Sequence, residues 1–240
     1  MSAGPPLPNS TIRLFAWGGG LAFVGSLAWF AFFYYAVLGH RAASREMFVP
    51  HLTLDVLLFG LFGAHHSVFA REGVKQRLAR WIPSSLERSL YVWIASLLLV
   101  VVCIAWRPVP GGELYRITGW AGWMIRGVQL AGLLLTLRAA TALDVLELAG
   151  IRQALGRPLE SRVEIVGPYR WVRHPLYAGW MLFVFGSPDM TVDRLTFAAV
   201  SSGYILLAIP WEERSLVASL GDGYRQYMQA VRWRLLPYVY

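Results

Sequence analysis

Long apolar runs, separated by short polar and basic segments, fill the first part of the chain. Each run is close to the roughly 20 residues that a helix needs to cross a membrane. In the first run, small residues recur every four positions at Gly18, Ala22 and Ser26, so a neighbouring helix can approach closely. Residues 18–20, all glycine, are therefore interpreted as a packing surface rather than a phosphate-binding loop. The runs predict four spanning helices, at residues 11–39, 52–70, 89–106 and 119–143.

A shorter pair of apolar runs follows at residues 176–187 and 195–209, with a turn at Ser187-Pro188-Asp189 between them. At about 1.5 Å per residue, the first arm reaches only about 18 Å, so it crosses fully only if its helix continues past Ser187. The predicted fold class is all-α: a polytopic helical membrane protein with four long spans, a C-terminal helical hairpin and a cytoplasmic tail helix. We expect one domain over residues 1–240, with the spans in 11–143 and the loop, hairpin and tail in 144–240.

The composition supports a membrane protein. Hydrophobic residues make up 56% of the chain and charged residues only 15%, which excludes a water-soluble globule. The 11 Trp, 11 Tyr and 12 Phe suit a chain whose rings lie at membrane interfaces. A single cysteine, Cys103, excludes a disulfide framework and a thiolate metal cluster, and the His spacings match no metal-ligand pattern.

The net charge of +8 would suggest nucleic acid in a soluble protein, but here the basic residues lie mostly between apolar segments. With six passages assumed, fifteen of the 22 Lys and Arg residues fall on one side and five on the other. The positive-inside rule then places both termini in the cytoplasm. We expect an integral protein of a bacterial inner membrane, in contact with lipid, without nucleic acid and without an obligate protein partner.

Several ionisable residues lie in or at the ends of the spans, where they are costly and usually face a cavity or a partner. His65 and His66 point about 100° apart on a helix, so they are not expected to line one pocket equally. Arg138 is a candidate for a buried ion pair with Asp144 or Glu147. A haem site is disfavoured because no second histidine within a span faces this pair. The full set is Asp55, His65, His66, Arg126, Arg138, Asp144 and Glu147.

The segment from Gly167 to Gly179, GPYRWVRHPLYAG, concentrates the polar chemistry of the chain. Proline at a first helical position begins a helix, so His174 is expected near the N-cap with Pro175 after it. Free amides of that first turn, with Arg173 beside them, suit a carboxylate or phosphate. Aromatic faces suit an adenine or a cationic sulfonium. They are supplied by Tyr169, Trp171 and Tyr177.

Two adjacent carboxylates, Glu212 and Glu213, follow Pro210 at the end of the last apolar run. Acidic residues at a membrane edge are costly to desolvate and do not set orientation. They are able to accept hydrogen bonds from ribose hydroxyls or from an ammonium group. Because the hairpin returns the chain to the same face, we expect the carboxylates to lie close to the Arg173-His174-Pro175 segment.

These two motifs, followed by Gly221, Tyr224 and Tyr227, resemble the integral-membrane methyltransferases that include isoprenylcysteine carboxyl methyltransferase and phospholipid N-methyltransferases. The resemblance covers about residues 167–237. It implies that S-adenosylmethionine binds at the cytoplasmic face. The residues implied are Tyr169, Arg173, His174, Pro175, Tyr177, Gly179, Glu212 and Glu213.

Upstream segments narrow the resemblance to the membrane methanethiol S-methyltransferases, which make dimethyl sulfide. They are Ala64-His65-His66-Ser67 with Lys75, Leu86-Glu87-Arg88-Ser89 with Tyr91, Trp106-Arg107-Pro108, Gly150-Ile151-Arg152-Gln153 and Ser187-Pro188-Asp189-Met190-Thr191. Residues 144–147 depart from the Asn, His and Asp pattern expected there, which leaves the acceptor open.

The resemblance implies transfer of a methyl group to a small thiol such as methanethiol. A thiolate is the reactive form of a thiol, so a base is needed, and His66, Glu147 and Asp144 are the catalytic candidates. An isoprenylcysteine carboxylate or a phospholipid amine is the alternative acceptor. There are two alternatives of other classes: a small transporter subunit, and a family member that binds the cofactor without turnover. The transporter is disfavoured because the sequence has only one hairpin, where a transporter would have two.

Overall fold

The structure, a computed structural model, describes residues 10–69, 73–74, 77, 80–156 and 165–240. Some residues on which the sequence predictions rest lie outside these ranges. They are Ala70 at the end of the second predicted span and the basic residues Arg71, Lys75, Arg157 and Arg162.

Helices dominate the described chain. Short elements connect them: a π-helical turn at Phe33–Val37 extends the first helix, and 3-10 turns occur at Arg45–Met47 and Gly167–Arg170. The long helices are α1 (Ser10–Phe32), α2 (Phe48–Phe69), α3 (Ser84–Ala105), α4 (Gly119–Ala142) and α8 (Val192–Leu220). The others are α5 (Val145–Leu148), α6 (Ile151–Ala154), α7 (Pro175–Phe185) and α9 (Asp222–Ala230). Strands β1 (Glu113–Arg116) and β2 (Asp189–Thr191) form one antiparallel pair.

Four helical segments of the described chain are long and apolar enough to cross a membrane. Large apolar side chains cover their outer surfaces: Leu21 is 72% exposed, Leu57 65% and Leu207 74%. Apolar surfaces of this extent are typical of helices that face lipid. The all-α polytopic prediction is confirmed, and the chain is an integral membrane protein. The segments are Ser10–Val37, Arg45–Phe69, Ser85–Ala105 and Val192–Leu220.

Helix α4 covers the predicted span at residues 119–143. Arg126, Gln129 and Arg138 lower its hydropathy, so α4 is not among the four segments, and its crossing of the membrane stays a prediction. The return arm of the hairpin, α8, was predicted as a further passage; it is 29 residues long and is the fourth of these segments. The first arm, α7, has only 11 residues and ends before Gly186, so the prediction of a short first arm is confirmed.

The described contacts fall into two compact units, and the organisation as a single domain stays a prediction. The first unit contains α1, the part of α2 from Gly60 onward, α3, α5 and α6. Its glycine-rich surface packs as expected: a Cβ atom on Gly18 would lie 2.9 Å from the Trp93 ring, and one on Gly19 3.1 Å from it. The Trp93 indole also donates to the carbonyl of Phe15 over 3.0 Å. The glycine run is therefore a packing surface.

The second unit contains the start of α2, α4, both strands and α7 to α9. The buried carboxylate of Asp193, at the start of α8, holds three backbone segments of this unit together. One oxygen accepts from the indole of Trp106 over 3.0 Å and from the amide of Val109 over 3.1 Å, and the other accepts from the amide of Gly39 over 2.9 Å. A buried carboxylate with three donors is well satisfied, so it fixes the position where α8 begins.

Helices α4 and α7 approach each other through glycine. A Cβ atom on Gly132 would lie 2.6 Å from the Gly179 carbonyl oxygen and 2.6 Å from the Phe183 amide nitrogen. Such short distances require glycine, because the obstacles are backbone atoms that cannot move aside. This contact fixes the helix that carries the Arg173-His174-Pro175 motif at its start.

Replacing Gly132 with valine is expected to destabilise the protein. Inserting side-chain atoms into a packed contact typically costs about 1–3 kcal/mol, which for a chain of this size lowers the midpoint of thermal unfolding by about 2–12 °C. Gly127 lies on the same helix with no atom within 4 Å of its Cβ position, so Gly127→Val is the matched control. Thermal unfolding in detergent measures both variants. Equal midpoints would contradict the packing role of Gly132.

Candidate functional site

The turn before α7 is built as its sequence predicts. Gly167 has a φ of 52°, a left-handed conformation that favours glycine, and Pro168 follows it in the 3-10 turn. Pro175 is the first residue of α7, and His174 occupies the N-cap position without making a side-chain capping bond. The His174 imidazole is therefore available for contacts with other elements.

The segment after α9 pairs with this turn. The backbone amides of Arg173 and His174 donate to the carbonyls of Trp233 and Arg234, each over 2.9 Å. The Arg173 guanidinium also donates through Nη1 to the carbonyls of Val231, over 2.8 Å, and Arg232, over 2.7 Å. The turn is thus held by a part of the chain about sixty residues away, and Arg173 is fixed by backbone as well as by side chains.

Glu213 joins the turn to α8. Its Oε1 atom accepts from Arg173 Nε over 2.7 Å, and its Oε2 atom accepts from Arg234 Nε over 3.0 Å. His174 Nε2 lies 3.3 Å from the same Oε1 atom. The carboxylate is only 4% exposed, and both oxygens are occupied. The expected proximity of the two motifs is confirmed, with Glu213 as the buried centre that connects them.

Glu212 differs from Glu213 in its exposure and in its hydrogen-bond partners. Its side chain is 40% exposed, and its Oε2 atom accepts from the Tyr177 hydroxyl over 2.9 Å. His174 Nδ1 lies 3.8 Å from that oxygen, and the His174 and Tyr177 rings stack with centroids 5.5 Å apart. Among the described residues, Glu212 Oε1 has no hydrogen-bond partner. Glu212 is therefore the carboxylate of the pair that is able to receive a ligand's hydroxyl or ammonium group.

A tyrosine cluster holds the beginning of the turn. Tyr169 packs against the buried Tyr224 and Tyr227 of α9, and the Tyr227 hydroxyl donates to the Tyr169 carbonyl over 2.8 Å. Burial raises the pKa of Tyr227 to about 12, so this hydroxyl keeps its proton. Gly179, also implied by the resemblance, contacts Gly132 of α4, and its contacts are those of helix packing. The structure thus gives Tyr169 and Gly179 supporting contacts, and a role in cofactor binding stays a prediction for both.

The first unit holds the catalytic candidate His66 beside Tyr91. The Tyr91 hydroxyl lies 2.6 Å from His66 Nδ1, and the Phe62 ring stacks on the His66 imidazole. The His65 ring stacks on Tyr91 as well, with centroids 5.2 Å apart. Both histidines thus contact Tyr91, but in different ways, and the expectation that they do not line one pocket equally stays a prediction. A tyrosine ring is wide enough to be contacted at its face by one histidine and at its hydroxyl by the other.

Asp144 and Glu147 belong to a second group of contacts in the first unit. The Asp144 carboxylate caps α5, accepting from the amides of Leu146 over 2.9 Å and Glu147 over 3.2 Å. It also pairs with Arg152, and this hydrogen bond lowers the pKa of Asp144. Arg152 is thus an ion-pair partner of Asp144 within this unit, and the suggested pairing of Arg138 with Asp144 or Glu147 stays a prediction. Glu147 Oε2 is buried without a hydrogen-bond partner among the described residues.

Comparison with known proteins places this arrangement in a family. No family model matches the chain. The chain is 34% identical to methanethiol S-methyltransferase from Mycobacterium tuberculosis, over 95% of this chain and 92% of the relative. It is 35% identical to methanethiol S-methyltransferase 2 from Bradyrhizobium diazoefficiens, over 75% of this chain and 71% of the relative. The chain belongs to the methanethiol S-methyltransferase family.

Another relative of this methanethiol S-methyltransferase family member is nurim, whose name states no activity. Nurim from Bos taurus is 30% identical, over 72% of this chain and 70% of the relative. The resemblance to membrane methyltransferases that the motifs predicted is confirmed by the two bacterial relatives.

The contacts of two residues in the polar groups of this methanethiol S-methyltransferase family member were not predicted from the sequence. Arg234 completes the pairing of Glu213, but as a basic residue in the tail it counted only toward membrane orientation. Nothing in the sequence indicates this contact, because the two motifs already contain two glutamates against three arginines, Arg170, Arg173 and Arg214. Tyr91 was named only as part of the resemblance, without a role; it contacts both histidines, and nothing in its position along α3 indicates this.

Proposed function

We propose that this protein transfers a methyl group from S-adenosylmethionine to methanethiol, giving dimethyl sulfide. The activity named for its bacterial relatives supports the acceptor. One observation carries the proposal for the donor: the Arg173-His174 turn and the Glu212-Glu213 pair form one hydrogen-bonded group. This is the pair of motifs that the resemblance to S-adenosylmethionine-dependent enzymes implies.

The chemistry of the site fits this methyl donor. S-adenosylmethionine presents ribose hydroxyls, an ammonium group, a sulfonium and a flat adenine. Glu212 offers an oxygen without a partner, which is suited to a hydroxyl or to the ammonium group. The stacked rings of His174 and Tyr177 offer a face for a flat base or a cation. Glu212, His174 and Tyr177 would hold the donor, with Glu213 and Arg173 fixing their positions.

When bound, S-adenosylmethionine supplies an electrophilic methyl group. The protein's own contribution is to orient the reactants and to exclude water. Buried Glu213 keeps the turn in one arrangement, because each of its oxygens accepts from an arginine. Glu212, which is half-exposed, remains at the surface of this hydrogen-bonded group as the carboxylate that would contact the donor.

Methylation of a thiol releases its proton, so a base or a cation that favours the thiolate speeds the reaction. Of the three candidates, Asp144 is engaged by two amides and by Arg152, which leaves little capacity for a proton. His66 and Glu147 remain as the proposed bases. His66 shares its Nδ1 atom with Tyr91, so Nε2 is the nitrogen of His66 left for this role.

We further propose that the protein lies in a bacterial inner membrane with both termini in the cytoplasm. The bias of basic residues toward one side supports this orientation. An apolar acceptor such as methanethiol then arrives from the lipid, and the charged donor arrives from the cytosol.

Incubation of the purified protein with labelled S-adenosylmethionine and methanethiol tests the function. We expect labelled dimethyl sulfide in the headspace, and none from a Glu212→Gln variant. Product with a prenylcysteine mimic but not with methanethiol would overturn the acceptor in favour of a carboxylate. Binding of the donor without product from a thiol, a prenylcysteine mimic or a phospholipid amine would overturn the enzymatic function.

A further inference from the structure

A polar cluster lies where α2 ends and α3 begins, within the first unit. We refer to His65, His66, Arg88 and Tyr91 as the histidine cluster. His65 is only 7% exposed, yet neither of its ring nitrogens has a hydrogen-bond partner among the residues that the structure describes. Buried polar atoms are almost always paired, and leaving one unpaired costs about 1–3 kcal/mol. The two unpaired nitrogens therefore indicate a ligand that pairs with them.

Aromatic rings fix the orientation of His65. Its imidazole stacks on Tyr91, with centroids 5.2 Å apart, and also contacts Phe69, with centroids 4.7 Å apart. The Tyr91 hydroxyl in turn lies 2.6 Å from His66 Nδ1. With its face stacked on Tyr91, the His65 imidazole is able to bind a ligand through its edge, where the nitrogens lie.

A cation packs on the tyrosine that both histidines contact. The Arg88 guanidinium carbon lies 5.2 Å from the centroid of the Tyr91 ring. Arg88 Nε is buried and has no hydrogen-bond partner among the described residues, while the backbone amide of Arg88 donates to Gln153 Oε1 over 3.2 Å. The cluster thus combines an unpaired imidazole with an unpaired guanidinium donor, which is suited to a small group that loses a proton and becomes an anion.

We propose that the histidine cluster binds the small thiol acceptor, with the sulfur at the nitrogen edge of His65. This inference rests on the proposed function. In this proposal His65, rather than His66 or Glu147, is the base: the S–H bond of the thiol breaks, its proton passes to a free nitrogen of His65, and the electron pair stays on sulfur as a thiolate. Arg88 stabilises that thiolate, since an opposite charge favours the ionised form of an acid. The ligand class is a short alkyl thiol.

Histidine NMR on the wild-type protein tests this binding directly. The chain has five histidines, so imidazole labelling gives five resolvable sets of signals. Titration with methanethiol, without the methyl donor, is expected to shift the signals of His65 and His66 saturably. Those of His40, His51 and His174 are expected to stay in place. Dimethyl sulfide, which lacks the S–H bond, is the control ligand. Equal shifts with both compounds, or no shift of His65, would overturn the proposal.

Steady-state kinetics separates binding of the acceptor from binding of the donor. His65→Phe keeps a ring between Tyr91 and Phe69 but removes both nitrogens. We expect at least a tenfold rise in KM for methanethiol with KM for S-adenosylmethionine within twofold of wild type. His40→Phe, at an exposed position, is the matched control and should change neither.

Different results would overturn the proposed function and the role of the histidine cluster. If the wild type makes no dimethyl sulfide from methanethiol, the proposed function is overturned. If the wild type turns over and His65→Phe has an unchanged KM for methanethiol, only the role of the histidine cluster is overturned. Should His65→Phe not fold, the NMR titration of the wild type decides by itself.

Discussion

Replacing Glu213 with glutamine is expected to lower the free energy of unfolding by about 3–5 kcal/mol and to abolish methyl transfer. The charge of Glu213 balances Arg173, whose side chain is only 6% exposed, and Arg234, which is 30% exposed. Removing one partner of a buried ion pair leaves an uncompensated charge, which is the source of that cost. For a chain of this size the midpoint of thermal unfolding should fall by about 6–20 °C.

Thermal unfolding in detergent measures this loss, and Glu212→Gln is the matched control. Both substitutions exchange an acid for an amide at adjacent positions of α8, but Glu212 is 40% exposed and pairs with no arginine among the described residues. We expect the control to unfold within a few degrees of wild type. A similar midpoint for the two variants would show that Glu213 is not the structural centre of the group.

Glu212→Gln is expected to weaken binding of S-adenosylmethionine by at least about 30-fold while the protein stays folded. A hydrogen-bonded charge removed from an interface typically costs about 2–5 kcal/mol, and 2 kcal/mol corresponds to roughly that factor. The glutamine amide keeps the size of the side chain, and its oxygen is still able to accept from Tyr177. A loss of affinity therefore reports the removal of the negative charge that faces the ligand.

Calorimetric titration with S-adenosylmethionine measures the affinity. Asp222→Asn makes the same exchange of acid for amide at the start of α9, where the side chain is 85% exposed, and should bind like wild type. His174→Ala should also bind weakly, because His174 stacks on Tyr177. Wild-type affinity in both Glu212→Gln and His174→Ala would refute the cofactor site.

The sequence predicted the architecture because long apolar runs have few alternatives in a membrane. The motif geometry was also predictable: a proline-initiated turn and a pair of acids at the two ends of one hairpin must return to the same face. The span at residues 119–143 stays a prediction: α4 has the length to cross, but Arg126 and Arg138 within it lower its hydropathy.

Side-chain partners were not predictable, because they depend on contacts distant in the sequence. Asp144 has a φ of 64°, a conformation in which it caps α5 and pairs with Arg152. No periodicity encodes such a turn. In the same way, the difference between Glu212 and Glu213 arises because only one of the two side chains faces Arg173 and Arg234.

The pairing of Arg173 with the carbonyls of Val231 and Arg232 bears on how the protein is made in the cell. Val231 follows Arg173 by 58 positions in the sequence. A ribosome that adds about 5–20 residues per second reaches it roughly 3–12 s after Arg173. The nascent chain therefore already contains both motifs before the site is able to close. A nonsense codon between these positions yields a polypeptide whose Arg173 lacks its carbonyl partners.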